Sequence, residues 1–207
     1  MTLLAMLRHA ETAWSAEGRI QGRTDVPLAS AARVALAGQQ LPGEVAGFQA
    51  VSSPLVRCIE TAQVLGLRDV VLEPRIAEMS WGLWEGRRLS ELRLELGQAM
   101  QANEARGLDF TPPHGESPRQ VLLRVQPWLA EIATRGVPTL AVSHRGVIRV
   151  LFASACAWDM LGKPPAKLQW NALHLFHLDA AGRPRTVRLN VPLTAAPVVM
   201  PAALGAR

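Results

Sequence analysis

Two short apolar runs, each stopping at a histidine, limit what this chain can become. Leu3-Leu4-Ala5-Met6-Leu7 ends on Arg8-His9, and Thr139-Leu140-Ala141-Val142 ends on Ser143-His144. Runs this short and continuously apolar read as strands buried on both faces, the pattern of a parallel sheet. Ligands of open α/β sheets sit in the crevice beyond the carboxyl ends of the strands. The two runs therefore offer two histidines and an arginine to one crevice from opposite halves of the sequence. A third segment, 51–62, reads as a strand end followed by a helix, with Ser53 as N-cap and Pro54 at the first helical position. Arg57 then lies one turn in, close enough to the helix N-terminus to share its positive potential with a bound anion.

Strand and helix patterns alternate along the rest of the chain. Strands are expected at 3–7, 48–52, 69–72, 138–143, 173–178 and 186–190, and helices at 30–41, 54–66, 89–106, 117–135 and 146–156. Asp179-Ala180-Ala181-Gly182 reads as a hairpin turn, so the last two strands run antiparallel. The expectation is an α/β fold, a three-layer α/β/α sandwich around a mostly parallel sheet with an antiparallel edge strand. One domain spans residues 1–207, with 86–116 as a candidate cap and 195–207 as an irregular, Pro/Ala-rich tail. The cap's entrance, Trp84 to Arg88, and its exit, Phe110 to His114, are candidate pocket walls.

Charge and cysteine usage narrow the function classes. The net charge is +5, yet Lys163 and Lys167 are the only lysines, and the arginines are scattered without a basic block. A nucleic-acid surface needs a clustered footprint, so nucleic acid is not expected as a partner. Cys58 and Cys156 form neither a disulfide framework nor a CxxC motif, which fits a reduced, cytoplasmic setting. His174 and His177 lie three apart on a strand, face opposite sides and cannot chelate together, so no metal is expected. No run approaches the ~20 apolar residues of a membrane span. A homodimer is compatible with the sequence.

Five blocks, in order, resemble the histidine phosphatase superfamily, in its phosphoglycerate-mutase-like branch. They are Met6 to Ser15 (M-L-R-H-A-E-T-A-W-S), Gly18 to Leu28, Ser53 to Ala62, Glu78 to Gly86, and Val142 to Arg149. The resemblance implies a phosphomonoesterase without cofactor that works through a phosphohistidine on His9, with Arg8, Arg57, Glu78 and His144 as the other catalytic groups. It implies substrate-binding positions at Ser15, Gln21 and Gly22, and Arg145, beside the last histidine, is a further candidate for binding substrate. The arginines favour an unprotonated, nucleophilic imidazole and neutralise charge on the phosphoryl oxygens. His144 completes the clamp as a donor. Glu78 matches the family acid, with Glu85, Glu11 and Glu116 as the other carboxylates in reach by sequence; a carboxyl facing a phosphate dianion is helped to stay protonated until it donates.

Three positions depart from the family pattern. Ala10 replaces a glycine, which is tolerable if the backbone needs no positive φ there. Ser15 replaces an asparagine and has a shorter reach. Arg145 replaces a frequent glycine and adds a charge. None removes a reacting group. A cofactor-dependent phosphoglycerate mutase is the alternative, and a catalytically silent phosphate-binding module a second. The mutase cap usually carries adjacent arginines before a Pro-rich stretch, whereas Ala105 to Pro113 has only Arg106 and adds Asp109. The expected partner is a small phosphorylated metabolite.

Overall fold

The computed structural model describes residues 1–196. The chain runs β1 (Thr2–Arg8), α1 (Ala13–Ala16), α2 (Ser30–Ala37), β2 (Gln39–Gln40), β3 (Gln49–Ser52), α3 (Val56–Val64) and β4 (Val71–Leu72). It continues through α4 (Leu89–Glu104), α5 (Pro118–Arg135), β5 (Thr139–Ser143), α6 (Arg145–Ala155), β6 (Ala172–Leu178), β7 (Pro184–Pro192) and β8 (Thr194–Ala195). Six strands form one sheet in the order β4-β3-β5-β1-β6-β7. The β1, β3, β4 and β5 ladders are parallel; β6 runs antiparallel to β1, and β7 extends the sheet beyond it, antiparallel to β6.

Period-two geometry turns the continuous apolar runs into two cores. Leu4 and Met6 of β1 pack on one face with Ala141 and Phe176, beneath Val121, Val125, Trp128, Leu129 and Ile132 of α5 and the apolar side of α6. Ala5 and Leu7 pack on the other face with Leu140, Leu173 and Leu175. Cys58 and Ala62 of α3 close against Val142 on that second face. Helices thus cover both faces, which is the three-layer arrangement expected. The α5 side chains recur at helical spacing, and each fully buried aliphatic one contributes about 1.5–3 kcal/mol relative to exposure.

Several boundaries differ from the sequence reading. The helix expected over 30–41 stops at Ala37, and Gln39–Gln40 instead pair with Thr194–Ala195. Ala195, expected in an irregular tail, is therefore in a strand; 197–207 lie outside the described residues. The helix expected over 54–66 begins at Val56, with Leu55 rather than Ser53 at the N-cap. Its first N–H groups are met from elsewhere, since Asp25 Oδ1 accepts from the Val56 N–H at 2.8 Å. The helix over 89–106 breaks at Gly97, whose φ of 50° and ψ of −120° interrupt α4. No described helix is long and apolar enough to cross a membrane.

This topology puts the ends of β1, β3 and β5 side by side, with β5 between its two partners. Arg8 and His9 leave β1, Ser53 leaves β3 and His144 leaves β5. The His9 N–H donates to the Ser143 carbonyl (2.9 Å) and the Ser53 N–H to the Val142 carbonyl (2.9 Å), which carries the ladders to the edge of the crevice.

Candidate active site

A cavity of about 570 Å³ opens at these strand ends. Arg8, His9, Arg57 and Glu78 line it, together with Ser15, Gln21, Gly22 and Arg145. His144 lies behind the wall rather than in it, fully buried, with its ring centroid 5.2 Å from that of His9.

The His9 ring is oriented by its own chain. Nδ1 is 2.7 Å from the Ala10 carbonyl oxygen, which can only accept, so Nδ1 carries the proton. Nε2 then holds the lone pair of the neutral ring. Burial pushes the imidazole well below the ordinary histidine range, and the charges of Arg8 and then Arg57 push the same way against the Ala10 hydrogen bond. The sequence pointed to the arginines alone, whereas burial is the larger cause. Ala10 has no positive φ and donates its N–H to Thr61 Oγ1 (3.0 Å), so the missing glycine brings no backbone strain.

Arg57 is wholly buried, and its fork is fixed by the loop that follows the first block. Nη1 donates to the Thr24 carbonyl (2.9 Å) and Nη2 to the Gly22 carbonyl (2.8 Å). That loop is itself held by Glu85, whose carboxylate accepts from the N–H groups of Arg23 and Thr24 (2.9 Å each), the Thr24 hydroxyl (2.6 Å) and the Trp81 N–H (3.1 Å). Gly22 has φ +56°, and a Cβ there would collide with the Glu85 carboxyl. Among the described residues, the Nε atoms of Arg8 and Arg57 are buried without a hydrogen-bond partner in the protein. Two guanidinium groups with a donor each to spare suit a multiply charged anion.

The carboxylates separate by their surroundings. Glu78 lines the cavity and accepts from the Met79 N–H (2.9 Å) and from the Gly146 N–H in the first turn of α6 (3.1 Å to Oε1, 3.2 Å to Oε2). Gly146 permits this approach, since a Cβ would run into Glu78 Oε1. Glu85 is consumed by the loop. Glu116 accepts from the Ser80 N–H (2.9 Å) and from Arg124 Nε (2.8 Å), which hold it as a structural anion. Glu11 is exposed and does not line the cavity. Of the four, Glu78 is the one facing the cavity.

His144 Nε2 lies 2.7 Å from Ser53 Oγ and 3.4 Å from Cys58 Sγ. Ser53, expected to cap α3, instead accepts from the Leu55 N–H (3.3 Å) and holds His144. Burial, then the charge of Arg57, keeps the His144 ring neutral-leaning, well below the ordinary range. Burial likewise raises the Cys58 thiol far above its usual range, so the neutral thiol persists in this core.

The binding positions are mixed. The Ser15 hydroxyl donates to the Thr12 carbonyl (3.0 Å) and accepts from the Thr12 N–H (2.9 Å), so its proton serves the cap of α1. Gln21 Nε2 donates to Thr12 Oγ1 (2.6 Å), and its Oε1 is buried without a partner among the described residues. Arg145 stacks over Trp170, its Cζ 4.9 Å from the ring centroid. The 86–116 segment supplies Leu89, Arg93, Glu104, Gly107 and Phe110 to the cavity wall. Phe110 is held by Trp81 and Trp84 at centroid distances of 5.5 and 5.9 Å. Arg149, which sequence reasoning did not single out, also lines the cavity; its position one turn after Arg145 was the available signal.

The His174 ring donates from Nε2 to the Gln169 carbonyl (3.1 Å) and is buried in the sheet. His9, His144 and His174 are all held below the ordinary histidine value, burial being the first cause in each. The unfolded chain therefore binds more protons once pH drops below about 6.5. Stability from these rings is intact above that value and declines as pH falls toward the folded-state values. Thermal melts should show Tm dropping between about pH 7.5 and 5.5, above the ordinary carboxylate range; a flat Tm across that window would contradict this.

The pattern of relatives agrees with the geometry. Residues 4–192 match the histidine phosphatase superfamily (branch 1). The chain belongs to that superfamily. It is 31% identical over 179 residues to a glucosyl-3-phosphoglycerate phosphatase of Mycolicibacterium vanbaalenii, covering 77% of this chain and 78% of the relative. It is 32% identical over 157 residues to a probable phosphoglycerate mutase of Enterobacter sp., covering 70% of each. Among solved structures, the Entamoeba histolytica phosphoserine phosphatase in complex with 3-phosphoglyceric acid superposes with a TM-score of 0.75 at 26% identity, covering 92% of this chain and 97% of the other. The superfamily's phosphatases thus share both sequence and fold with this chain.

Proposed function

We propose that this chain is a phosphomonoesterase that passes the phosphoryl group of a small metabolite to His9 and then to water, without a metal. The observation that carries the reading is the His9 ring, neutral, with Nδ1–H spent on Ala10 and Nε2 left with its lone pair in a cavity lined by Arg8 and Arg57. In the first step the Nε2–P bond forms as the bond from phosphorus to the ester oxygen breaks, and Glu78 gives that oxygen its proton. Arg8 and Arg57 take up charge spread over the equatorial oxygens, where phosphoryl transfer gains most. His144, expected as a donor to the phosphoryl group, instead stands behind His9 with Nε2 2.7 Å from Ser53 Oγ, and as a neutral ring outside the cavity lining it acts by positioning the wall behind the nucleophile. In the second step Glu78 accepts a proton from water as its oxygen attacks phosphorus and Nε2 departs. The unit is the whole chain, with 86–116 as its cap.

Hydrolysis of p-nitrophenyl phosphate should persist in excess chelator. Activity abolished by chelation and restored by a divalent cation would overturn the metal-free route.

The mutase reading keeps the first step and replaces water by a phosphoglycerate hydroxyl. The relatives named as probable phosphoglycerate mutases favour it. Incubation with 3-phosphoglycerate, with and without bisphosphoglycerate, separates the two. Release of inorganic phosphate supports hydrolysis, whereas 2-phosphoglycerate formed only with the bisphosphate supports the mutase.

A further inference from the structure

Among the described residues, six arginines line the cavity, and they fall into three groups by what holds them. Arg8 and Arg57 belong to the phosphoryl end. Arg19 and Arg93 are neutralised by carboxylates, Arg19 by Glu17 at 2.6 Å and Arg93 by Glu104 at 2.7 Å. Arg145 and Arg149 form no salt bridge and no side-chain hydrogen bond among the described residues; each instead lies over an indole. Arg145 Cζ is 4.9 Å from the Trp170 centroid, and Arg149 Cζ is 5.3 Å from the Trp158 centroid.

Both stand on α6, four residues apart, so their side chains leave one face of the helix about 6 Å apart along its axis. Stacking on indole leaves the guanidinium edge, with its N–H donors, open to a ligand. The pair is electrostatically unrelieved. Burial lowers Arg149 below the ordinary arginine range and the charge of Arg145 lowers it further; for Arg8, too, Arg145 is the strongest charge after burial. Arg145 therefore joins the phosphoryl end of the cavity to Arg149. Two cations on one wall, neither with a carboxylate partner among the described residues, call for an anionic ligand between them.

We infer that Arg145 and Arg149 form a second anion subsite, which takes a carboxylate or second phosphate on the leaving-group side of the substrate. The inference deepens the phosphatase reading and rests on it for the placement of the first phosphate. It assigns the substrate class as phosphomonoesters with a further anionic group. Neutral sugar monophosphates and aryl phosphates would fill only the deep end.

Matched ligands test it. Glycerol 3-phosphate and 3-phosphoglycerate differ by a hydroxymethyl in place of a carboxylate; fructose 6-phosphate and fructose 1,6-bisphosphate differ by a second phosphate. Titration calorimetry on His9→Ala protein reads affinity without turnover. In at least one pair the doubly anionic ligand should bind about 10- to 100-fold tighter, the scale of charge-assisted hydrogen bonds; the pair that shows it identifies the anion. Arg149→Gln should cut that preference to a few-fold, and Arg149→Lys should retain part of it. Arg145→Gln, on an exposed residue in the first turn of α6, is the second variant should the half-buried position affect folding. Equal affinities within both pairs, or a preference that neither glutamine variant reduces, would overturn the subsite. Aryl phosphate hydrolysis by the unmutated enzyme without any such preference overturns this inference and leaves the phosphatase reading standing. The preference without hydrolysis of any phosphomonoester upholds the subsite and overturns that reading in favour of a binding module.

Discussion

Replacing His9 with alanine should leave no measurable hydrolysis of any phosphomonoester. The imidazole is the cavity's only neutral nitrogen nucleophile among the described residues, and its Nδ1 proton is fixed on the Ala10 carbonyl at 2.7 Å. Without it, water would have to attack an ester phosphorus directly, and the single hard displacement would no longer be split into two. Arg57→Ala should be milder, a loss of ~10²–10³ in kcat, the usual loss for one preorganised transition-state donor. Burial makes the Arg57 change structural as well, because its Nη atoms tie down the Gly22 and Thr24 carbonyls. Circular dichroism and a melting curve on each variant separate lost chemistry from a lost fold. Turnover by His9→Ala near the unmutated rate would remove the nucleophile from the account.

The second large effect concerns Glu78. An acid matters most when the departing oxygen is a poor leaving group such as a sugar alkoxide, and least for a nitrophenolate, which can leave unprotonated. Glu78→Gln should therefore slow single-turnover phosphorylation by sugar phosphates ~10²–10⁴, the usual share of general acid catalysis. Phosphorylation by p-nitrophenyl phosphate should slow much less. Steady-state rates should fall on every substrate, because the same carboxylate also assists attack by water. Glu85→Gln should show no such dependence on the leaving group, since its oxygens are spent on the Arg23, Thr24 and Trp81 N–H groups and the Thr24 hydroxyl. The reverse pattern would move the acid to Glu85.

Much of this site was legible because its scaffold is local. Short apolar runs that stop at polar residues mark buried strands and their carboxyl ends, and β1, β3 and β5 lie where that pattern puts them. What stayed hidden acts across long separations. The Ser53-Pro54 signal is a good helix start, yet Asp25 caps α3 from 31 residues away and frees Ser53 to hold His144. Glu85, one of several carboxylates by sequence, becomes the anchor of the Arg57 loop only when the chain folds back 61 residues to Thr24. The neutrality of His9 was readable from Arg8 beside it, but its larger cause, burial, belongs to packing. The pairing of Gln39–Gln40 with Thr194–Ala195 has no sequence signal, since two-residue strands carry no period.

The covalent route is the core of the account, and Glu78→Gln gives the most direct access to it. That variant should still accept the phosphoryl group from p-nitrophenyl phosphate and lose it slowly, so the phosphoenzyme should accumulate. Rapid quenching into alkali, which preserves phosphohistidine, followed by peptide mass spectrometry should find the phosphoryl group on His9, approaching one per chain, and none after His9→Ala. Multiple turnovers with no phosphorylated peptide, or a phosphoryl group on any residue other than His9, would contradict it.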